Sequence, residues 1–464
     1  MSQIPAGLRP LPGPLPAPAG AYDLAALGYA EEEFLLSGDA ESYRLDGDRA
    51  ADGRWAVRPA DGAGFTTRLL VRRPADDAGF SGTVVVEWLN VSGGLDVPPI
   101  WMMTHTQLIR RRHAWVGVSA QRAGIEGGGL AQGLHLKRAF PDRYAILSHP
   151  GDAWSFDIFS QAGHAIRNGA GVLGPHAPRR LLAAGHSQSA AYLVTYANAV
   201  DPRARVFDGF AVHGRGAAGA SLDKDFAPTR RGTPLAAERI RPDLRVPVLV
   251  LQTETDQVLL GGARVEQPDG DLLRSWELAG AAHADTYLVI ASGHDDGALP
   301  ADRLAELVQP TTRIVMGTTE IPVNSGLQHH YVACAALEWL DGWAGGGAAP
   351  PVSPRLHLSA DGRDLQRDRL GIATGGIRTP WTDVPAAVLS GLGQRGANMF
   401  AFLFGVTLPF APGQLAQLYP DGAVGYLERF EQALDAAITA GFLLRDDRAE
   451  ALAVAAAASR TWPA

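Results

Sequence analysis

The sequence predicts an α/β fold in which helices flank a mostly parallel central sheet. Short apolar runs rich in β-branched residues alternate with helical patterns along much of the chain. Several runs are apolar at nearly every position, as expected of strands that are buried on both faces of a parallel sheet. One run ends in Gly185-His186-Ser187-Gln188-Ser189, and small residues then open a helix. This pattern is typical of a sharp strand-to-helix turn with a serine at its tip.

The individual elements follow from these patterns in chain order. Residues 1–40 are read as an extended lead-in, because their first half is rich in Pro, Gly and Ala. The predicted strands are 42–45, 66–73, 82–90, 114–119, 180–184, 206–212, 246–252 and 272–278. The predicted helices of the core are 101–111, 153–168, 190–200 and 328–343. The strand at 272–278 is expected to be the last one of the core sheet.

The chain is predicted to form a single domain with a catalytic core and a C-terminal extension. A Gly/Pro-rich break at 345–354 separates the core, residues 41–345, from the extension, residues 346–464. The extension contains an apolar-aromatic run at 399–404 and a helical stretch at 426–440. We expect it to pack on the core and to cover the active site.

Composition excludes several classes of protein. The 464 residues are 19% charged and 46% hydrophobic, as in ordinary globular proteins, and the net charge of −8 argues against a nucleic-acid partner. Cys334 is the single cysteine, so no intramolecular disulfide can form, which favours a reducing compartment. The most apolar run, 398–410, is too short to span a membrane. The N-terminus lacks the pattern of a signal peptide, so a cytoplasmic location is expected.

Ser187 is the predicted nucleophile. The sequence contains four Gly-x-Ser matches, at Ser81, Ser119, Ser187 and Ser221. Only Ser187 has a small residue two positions later and lies between an apolar strand and an Ala-rich helix. Ser189 stands where glycine is more usual in this motif. The alternative is that Ser187 merely caps the following helix.

A serine nucleophile needs a general base, and the base needs an acid that orients it. The predicted strand 246–252 runs directly into Asp256, the favoured acid, with Glu254 as the alternative. After the last core strand, a loop of small residues presents His283, the predicted base. His329 and His330 are rival bases that we interpret as pocket-lining or structural residues.

Backbone amides are expected to stabilise the oxyanion that forms during acyl transfer. The residue after the nucleophile, Gln188, supplies one amide, and the Gly-rich loop after strand 82–90 supplies a second from Asn90 or Val91. No pair of histidines has the spacing of a zinc site, so neither a metal nor a cofactor is expected.

With these residues, the chain resembles the α/β-hydrolase superfamily, and more narrowly the bacterial "alpha/beta hydrolase domain-containing protein" family. The resembling stretches are 28–34, 84–90, 148–155, 185–189, 252–256, 276–285 and 375–380. The resemblance implies a serine-hydrolase fold with Ser187, Asp256 (or Glu254) and His283 in the triad positions. Because many members of that family are exported, export is the alternative location.

The expected function is hydrolysis of a small-molecule carboxylic ester through an acyl-enzyme on Ser187. Two alternatives use the same fold. In the first, an acyltransferase or cyclase passes the same acyl group to an alcohol or amine; in the second, the chain binds a ligand without catalysis. Acyl length, alcohol group and oligomeric state do not follow from the residues.

Overall fold

A computed structural model describes residues 7–16, 20–76, 79–129, 133–169, 171–225, 236–396, 399–460 and 462. Thirteen strands lie in these residues: β1 Leu8–Pro10, β2 Tyr29–Leu45, β3 Val57–Pro74, β4 Thr83–Trp88, β5 Ala114–Val118, β6 Arg180–His186, β7 Gly209–His213, β8 Val248–Thr253, β9 Leu273–Leu278, β10 Arg313–Ile314, β11 Gly317–Thr318, β12 Ala387–Ser390 and β13 Val406–Pro409.

The first nine strands form one sheet in the order β1-β2-β3-β5-β4-β6-β7-β8-β9. The pairs β1/β2, β2/β3 and β3/β5 are antiparallel, whereas every pair from β5 through β4 to β9 is parallel. The predicted α/β fold with a mostly parallel sheet is therefore confirmed, and β9 is its edge strand. All of the parallel strands present their carboxyl ends, and the loops that follow, at the same edge of the sheet.

Fifteen α-helices surround the sheet or follow it: α1 Pro99–Arg110, α2 Arg122–Glu126, α3 Leu136–Ala139, α4 Pro141–Tyr144, α5 Ser155–Arg167, α6 Gln188–Thr195, α7 Asp201–Ala204, α8 Glu254–Val258, α9 Thr286–Val289, α10 Ala301–Leu307, α11 Gln328–Ala344, α12 Pro380–Asp383, α13 Pro412–Leu418, α14 Gly422–Thr439 and α15 Arg448–Ser459. Within the described ranges, no helix has both the length and the apolar character needed to cross a membrane.

The core consists of two apolar layers, one on each face of the sheet. Strand β4 is fully buried, with Val85 in the layer of α1 and α11 and with Val84 and Val86 in the layer of α5 and α6. Trp101 and Trp88 are the largest side chains of the two layers near β4. Burial on both faces explains why this strand is apolar at nearly every position.

The antiparallel edge is longer than the sequence patterns predict. Strands β2 and β3 pair over almost their whole length, so β2 begins at Tyr29 and crosses the predicted boundary between lead-in and core at residue 40. Three consecutive glutamates in β2 obscure the strand pattern, and all three pair with arginines of β3: Glu31 with Arg72, Glu32 with Arg73 and Glu33 with Arg68. The strand predicted at 42–45 is thus only its final part, and β1 adds a short strand inside the expected lead-in.

The C-terminal extension packs on the core in two ways. Helices α14 and α15 add Phe430, Leu434 and Val454 to the apolar layer that contains α11. The hairpin of β12 and β13 reaches the loops after β8 and β9, where the Thr255 hydroxyl donates to the Gly391 carbonyl at 2.7 Å. Through these contacts the extension supports the carboxyl edge of the sheet.

Candidate active site

Ser187 lies at the tip of the sharp turn between β6 and α6. Its backbone angles are φ 63° and ψ −120°, a conformation that is strained for any residue with a side chain. Its amide donates to the carbonyl of His213 in the neighbouring strand β7 at 2.9 Å. A Cβ on Gly185 would lie 3.1 Å from the Ser189 backbone, which explains the small residues at both motif positions.

Asp256 and His283 form a buried hydrogen-bonded pair. Asp256 Oδ1 lies 2.5 Å from His283 Nδ1, and the two side chains are 0% and 3% exposed. Asp256 Oδ2 accepts from the amide and the hydroxyl of Thr253 at 2.7 and 2.9 Å. Both carboxylate oxygens therefore have hydrogen-bond partners, which fixes the carboxylate. Because Nδ1 of His283 is bound to Asp256, Nε2 is the ring nitrogen that can accept a proton from another group.

His283 is packed against the turn that carries Ser187. The ring of His186, the residue before Ser187, lies 4.5 Å from the His283 ring between centroids. Gly214, which follows β7 at φ 64°, closes the other side, because a Cβ there would lie 3.1 Å from the His283 ring. The fold thus places the His283 ring against the residue that precedes Ser187.

The alternative acid, Glu254, has other partners. Its carboxylate accepts from the Gly280 amide at 2.6 Å, the Ser390 hydroxyl at 2.7 Å and the Gly391 amide at 2.8 Å. Burial raises the pKa of Glu254 above its usual range. Its bonds connect α8, the loop after β9 and the C-terminal extension, which indicates a structural role.

The rival bases are also held by other groups. His330 Nδ1 lies 2.6 Å from the Met103 carbonyl, and its ring stacks on Tyr287 at 3.9 Å. His329 lies between Asp285 and His213, with nitrogen–oxygen and nitrogen–nitrogen distances of 2.9 and 2.7 Å. Both rings are buried at the start of α11.

The structure separates the candidates for the oxyanion donors. The Asn90 amide already donates to the Val97 carbonyl at 2.9 Å, which favours Val91 over Asn90 as the second donor. Its side chain instead donates to the His186 carbonyl and ties the loop to β6. The Val91 amide faces Gln188 Oε1 at 3.4 Å. Gln188 opens α6, where backbone amides have no acceptor within the helix.

Sequence reasoning missed a cluster of four buried imidazoles beneath this centre. His186 and His213 end the adjacent strands β6 and β7 in register, and their rings lie 4.7 Å apart. They connect His283 with His329. Burial lowers the pKa of His186 and of His213 well below 6.5. The available signal was that each histidine follows a predicted parallel strand, 180–184 or 206–212, within two residues. Among the described residues, no three or more His, Cys, Asp or Glu side chains are arranged to hold a metal ion.

Solved structures that are similar to this chain have low sequence identity to it. An α/β serine hydrolase without a lid from Xanthomonas campestris is 12% identical, with 52% of this chain and 84% of that chain covered and a TM-score of 0.28. An α/β serine hydrolase homologue from Coxiella burnetii is 12% identical, with 47% and 84% covered and a TM-score of 0.30. A fungal esterase from Rhizomucor miehei is 13% identical, with 55% and 77% covered and a TM-score of 0.28.

The comparison with curated proteins finds no match. A family model, in contrast, covers nearly the whole chain. The model described as an alpha/beta hydrolase domain matches residues 4–453, which include β2 to β9 and the loops that carry Ser187, Asp256 and His283. The chain therefore belongs to the alpha/beta hydrolase domain family.

Proposed function

We propose that this protein is a serine hydrolase that cleaves carboxylic esters through an acyl-enzyme on Ser187. The observation that carries the proposal is the strained conformation of Ser187 beside the buried Asp256–His283 pair. A strained residue persists only where the surrounding structure enforces it, and such residues concentrate at functional sites. A serine, a carboxylate and an imidazole in this chain order match the requirements of acyl transfer.

In the acylation step, Ser187 Oγ attacks the ester carbonyl and His283 Nε2 accepts the hydroxyl proton. Asp256 keeps His283 Nδ1 protonated and stabilises the imidazolium that forms. The amides of Gln188 and Val91 donate to the oxyanion. For this step the Gln188 side chain moves away from the Val91 amide, which donates to Gln188 Oε1 in the structure. His283 then protonates the departing alcohol.

In the deacylation step, His283 removes a proton from water, and the resulting hydroxide attacks the acyl-enzyme. The carboxylic acid leaves as Ser187 recovers its proton from His283. Every proton transfer uses the same imidazole, so neither a cofactor nor a metal is required for this route.

The test is a series of aryl esters of increasing acyl length, measured with the wild-type protein, Ser187→Ala and Ser189→Ala. Ser187→Ala should lose turnover of every ester that the wild type cleaves. Ser189 is the matched control, because it is two residues away, fully buried and has no hydrogen-bond partner for its hydroxyl in the described structure. Its loss should leave turnover within a few-fold. Turnover that survives in Ser187→Ala would refute the proposal.

The same series separates hydrolysis from acyl transfer. A hydrolase releases one acid for each aryl alcohol, whereas an acyltransferase forms a new ester or amide when an alcohol or amine is added. We expect acid and aryl alcohol in equal amounts, with an initial burst of aryl alcohol if deacylation is the slower step.

A further inference from the structure

A second hydrogen-bonded chain of buried side chains lies beside the proposed triad. Asp285 Oδ2 lies 2.9 Å from His329 Nδ1, and His329 Nε2 lies 2.7 Å from His213 Nε2. The three residues come from the start of α9, the start of α11 and the end of β7, and all are at most 5% exposed. The proposed catalytic steps use none of these side chains.

The chemistry of the groups fixes the direction of this chain. A carboxylate can only accept a hydrogen bond, so His329 Nδ1 donates to Asp285. The other nitrogen of a neutral imidazole is then an acceptor, so His213 Nε2 donates to His329. One carboxylate therefore sets the tautomer of two successive rings.

The chain reaches both proposed catalytic residues, Ser187 directly and His283 through His186. The carbonyl of His213 accepts the amide of Ser187 at 2.9 Å, so His213 holds the backbone of the strained turn. The ring of His213 packs on His186 at 4.7 Å, and His186 packs on His283 at 4.5 Å. A tilt of the His213 ring would therefore displace the His186 ring, against which the His283 ring packs.

The charged and titratable groups around the chain come from each element packed on it. The imidazoles of His186 and His283 face it from β6 and from the loop after β9. Burial lowers the pKa of His213, and the imidazoles of His329 and His283 lower it further. Asp285 and, through His283, Asp256 are the carboxylates at the two ends.

We propose that Asp285, His329 and His213 form a positioning relay that holds the Ser187 turn and the His283 ring in the relative position that catalysis requires. The relay rests on the proposed function for its catalytic consequence. Its residues touch neither the substrate nor the reacting atoms, so they act through Ser187 and His283.

Asp285→Asn is the sharpest variant. Asn keeps the oxygen that accepts the Leu288 amide and so retains the cap of α9. Its amide nitrogen instead donates to His329 Nδ1, which reverses both hydrogen bonds of the relay. We expect kcat for the aryl ester to fall about 10-fold at an unchanged KM, because Ser187 and His283 no longer hold the relative position that the reaction requires. NMR of labelled imidazoles should show the tautomers of His329 and His213 reversed.

The matched control is His330→Gln, which changes an equally buried ring on the same helix that bonds to Met103 rather than to the relay. It should leave kcat within error and the tautomers of His329 and His213 as in the wild type. If Asp285→Asn leaves kcat and both tautomers unchanged in an active protein, the relay is refuted. Equal losses of kcat in both variants without a change of tautomer would also refute it. If the wild type cleaves no ester, the proposed function fails, while the reversed tautomers would still support the relay.

Discussion

At the scale of single residues, the two carboxylates after β8 illustrate what sequence can and cannot distinguish. Asp256 and Glu254 are two positions apart, and chain order fits either as the triad acid. The structure places only Asp256 on His283, while Glu254 binds Gly280, Ser390 and Gly391. Side-chain direction in the first turn of α8 makes the difference, and it depends on contacts 136 and 137 residues away in the chain.

The two carboxylates should respond to amide substitution in opposite ways. Asp256→Asn should lower kcat by roughly 10³–10⁴-fold, because the imidazole loses the partner that fixes its tautomer. Glu254→Gln should retain most of kcat and lose about 1–3 kcal/mol of unfolding free energy, since a buried acceptor faces several donors. Ester kinetics and urea unfolding of both variants check this, and a larger kcat loss in Glu254→Gln would reverse the assignment.

The strain at Ser187 predicts an unusual order of stability. Alanine at this position keeps the unfavourable φ of 63°, whereas glycine adopts it freely. Ser187→Gly should therefore be more stable than Ser187→Ala by about 1 kcal/mol, even though both variants lack the nucleophile. Equilibrium urea unfolding measures the difference, and an Ala variant at least as stable as the Gly variant would show that the turn is unstrained.

At the scale of elements, periodicity and composition identified the parallel strands, because those strands are buried on both faces and read as apolar runs. The turn at Ser187 was predictable for the same reason, since its small residues are needed where β6 and α6 approach each other. The full length of β2 was not predictable, because its glutamates face arginines of β3. The histidine cluster was missed because β6, β7 and α11 meet only in the folded chain.

The buried ring of His330, at the start of α11, should make the stability of the folded protein depend on pH. Burial lowers the pKa of His330 to about 4, whereas an unfolded histidine titrates near 6.5. Between these values the unfolded chain binds a proton that the folded protein does not. Stability should therefore fall as the pH drops from about 6.5 to 4, by up to about 1.4 kcal/mol per pH unit from this residue. Urea unfolding of His330→Gln should show a correspondingly shallower slope, and an equal slope would contradict the assignment.

At the scale of the whole molecule, the C-terminal extension completes the carboxyl edge of the sheet. Its hairpin binds Glu254 and Thr255, and the Leu403 carbonyl accepts the amide of Ala284, next to His283. Its irregular sequence gave no sign of these contacts, because they depend on backbone groups of a loop. The sequence did predict that the extension packs on the core.

This arrangement predicts that core and extension unfold together. Their shared apolar layer joins α11 to α14 and α15, so neither part buries its surface alone. Calorimetry of the full chain should show one cooperative transition, and a chain ending at residue 345 should lose both soluble yield and ester cleavage. Two separate transitions, or an active truncated core, would show that the extension is an independent unit.

Covalent trapping shows whether Ser187 is a nucleophile that His283 activates. The wild-type protein, Ser187→Ala and Ser189→Ala are treated with a fluorophosphonate, and the adduct is located by mass spectrometry of the peptides. We expect one adduct on Ser187 in the wild type and in Ser189→Ala, and none in Ser187→Ala. A folded wild-type protein that forms no adduct, or an adduct that persists in Ser187→Ala, would refute the role of Ser187 as the nucleophile.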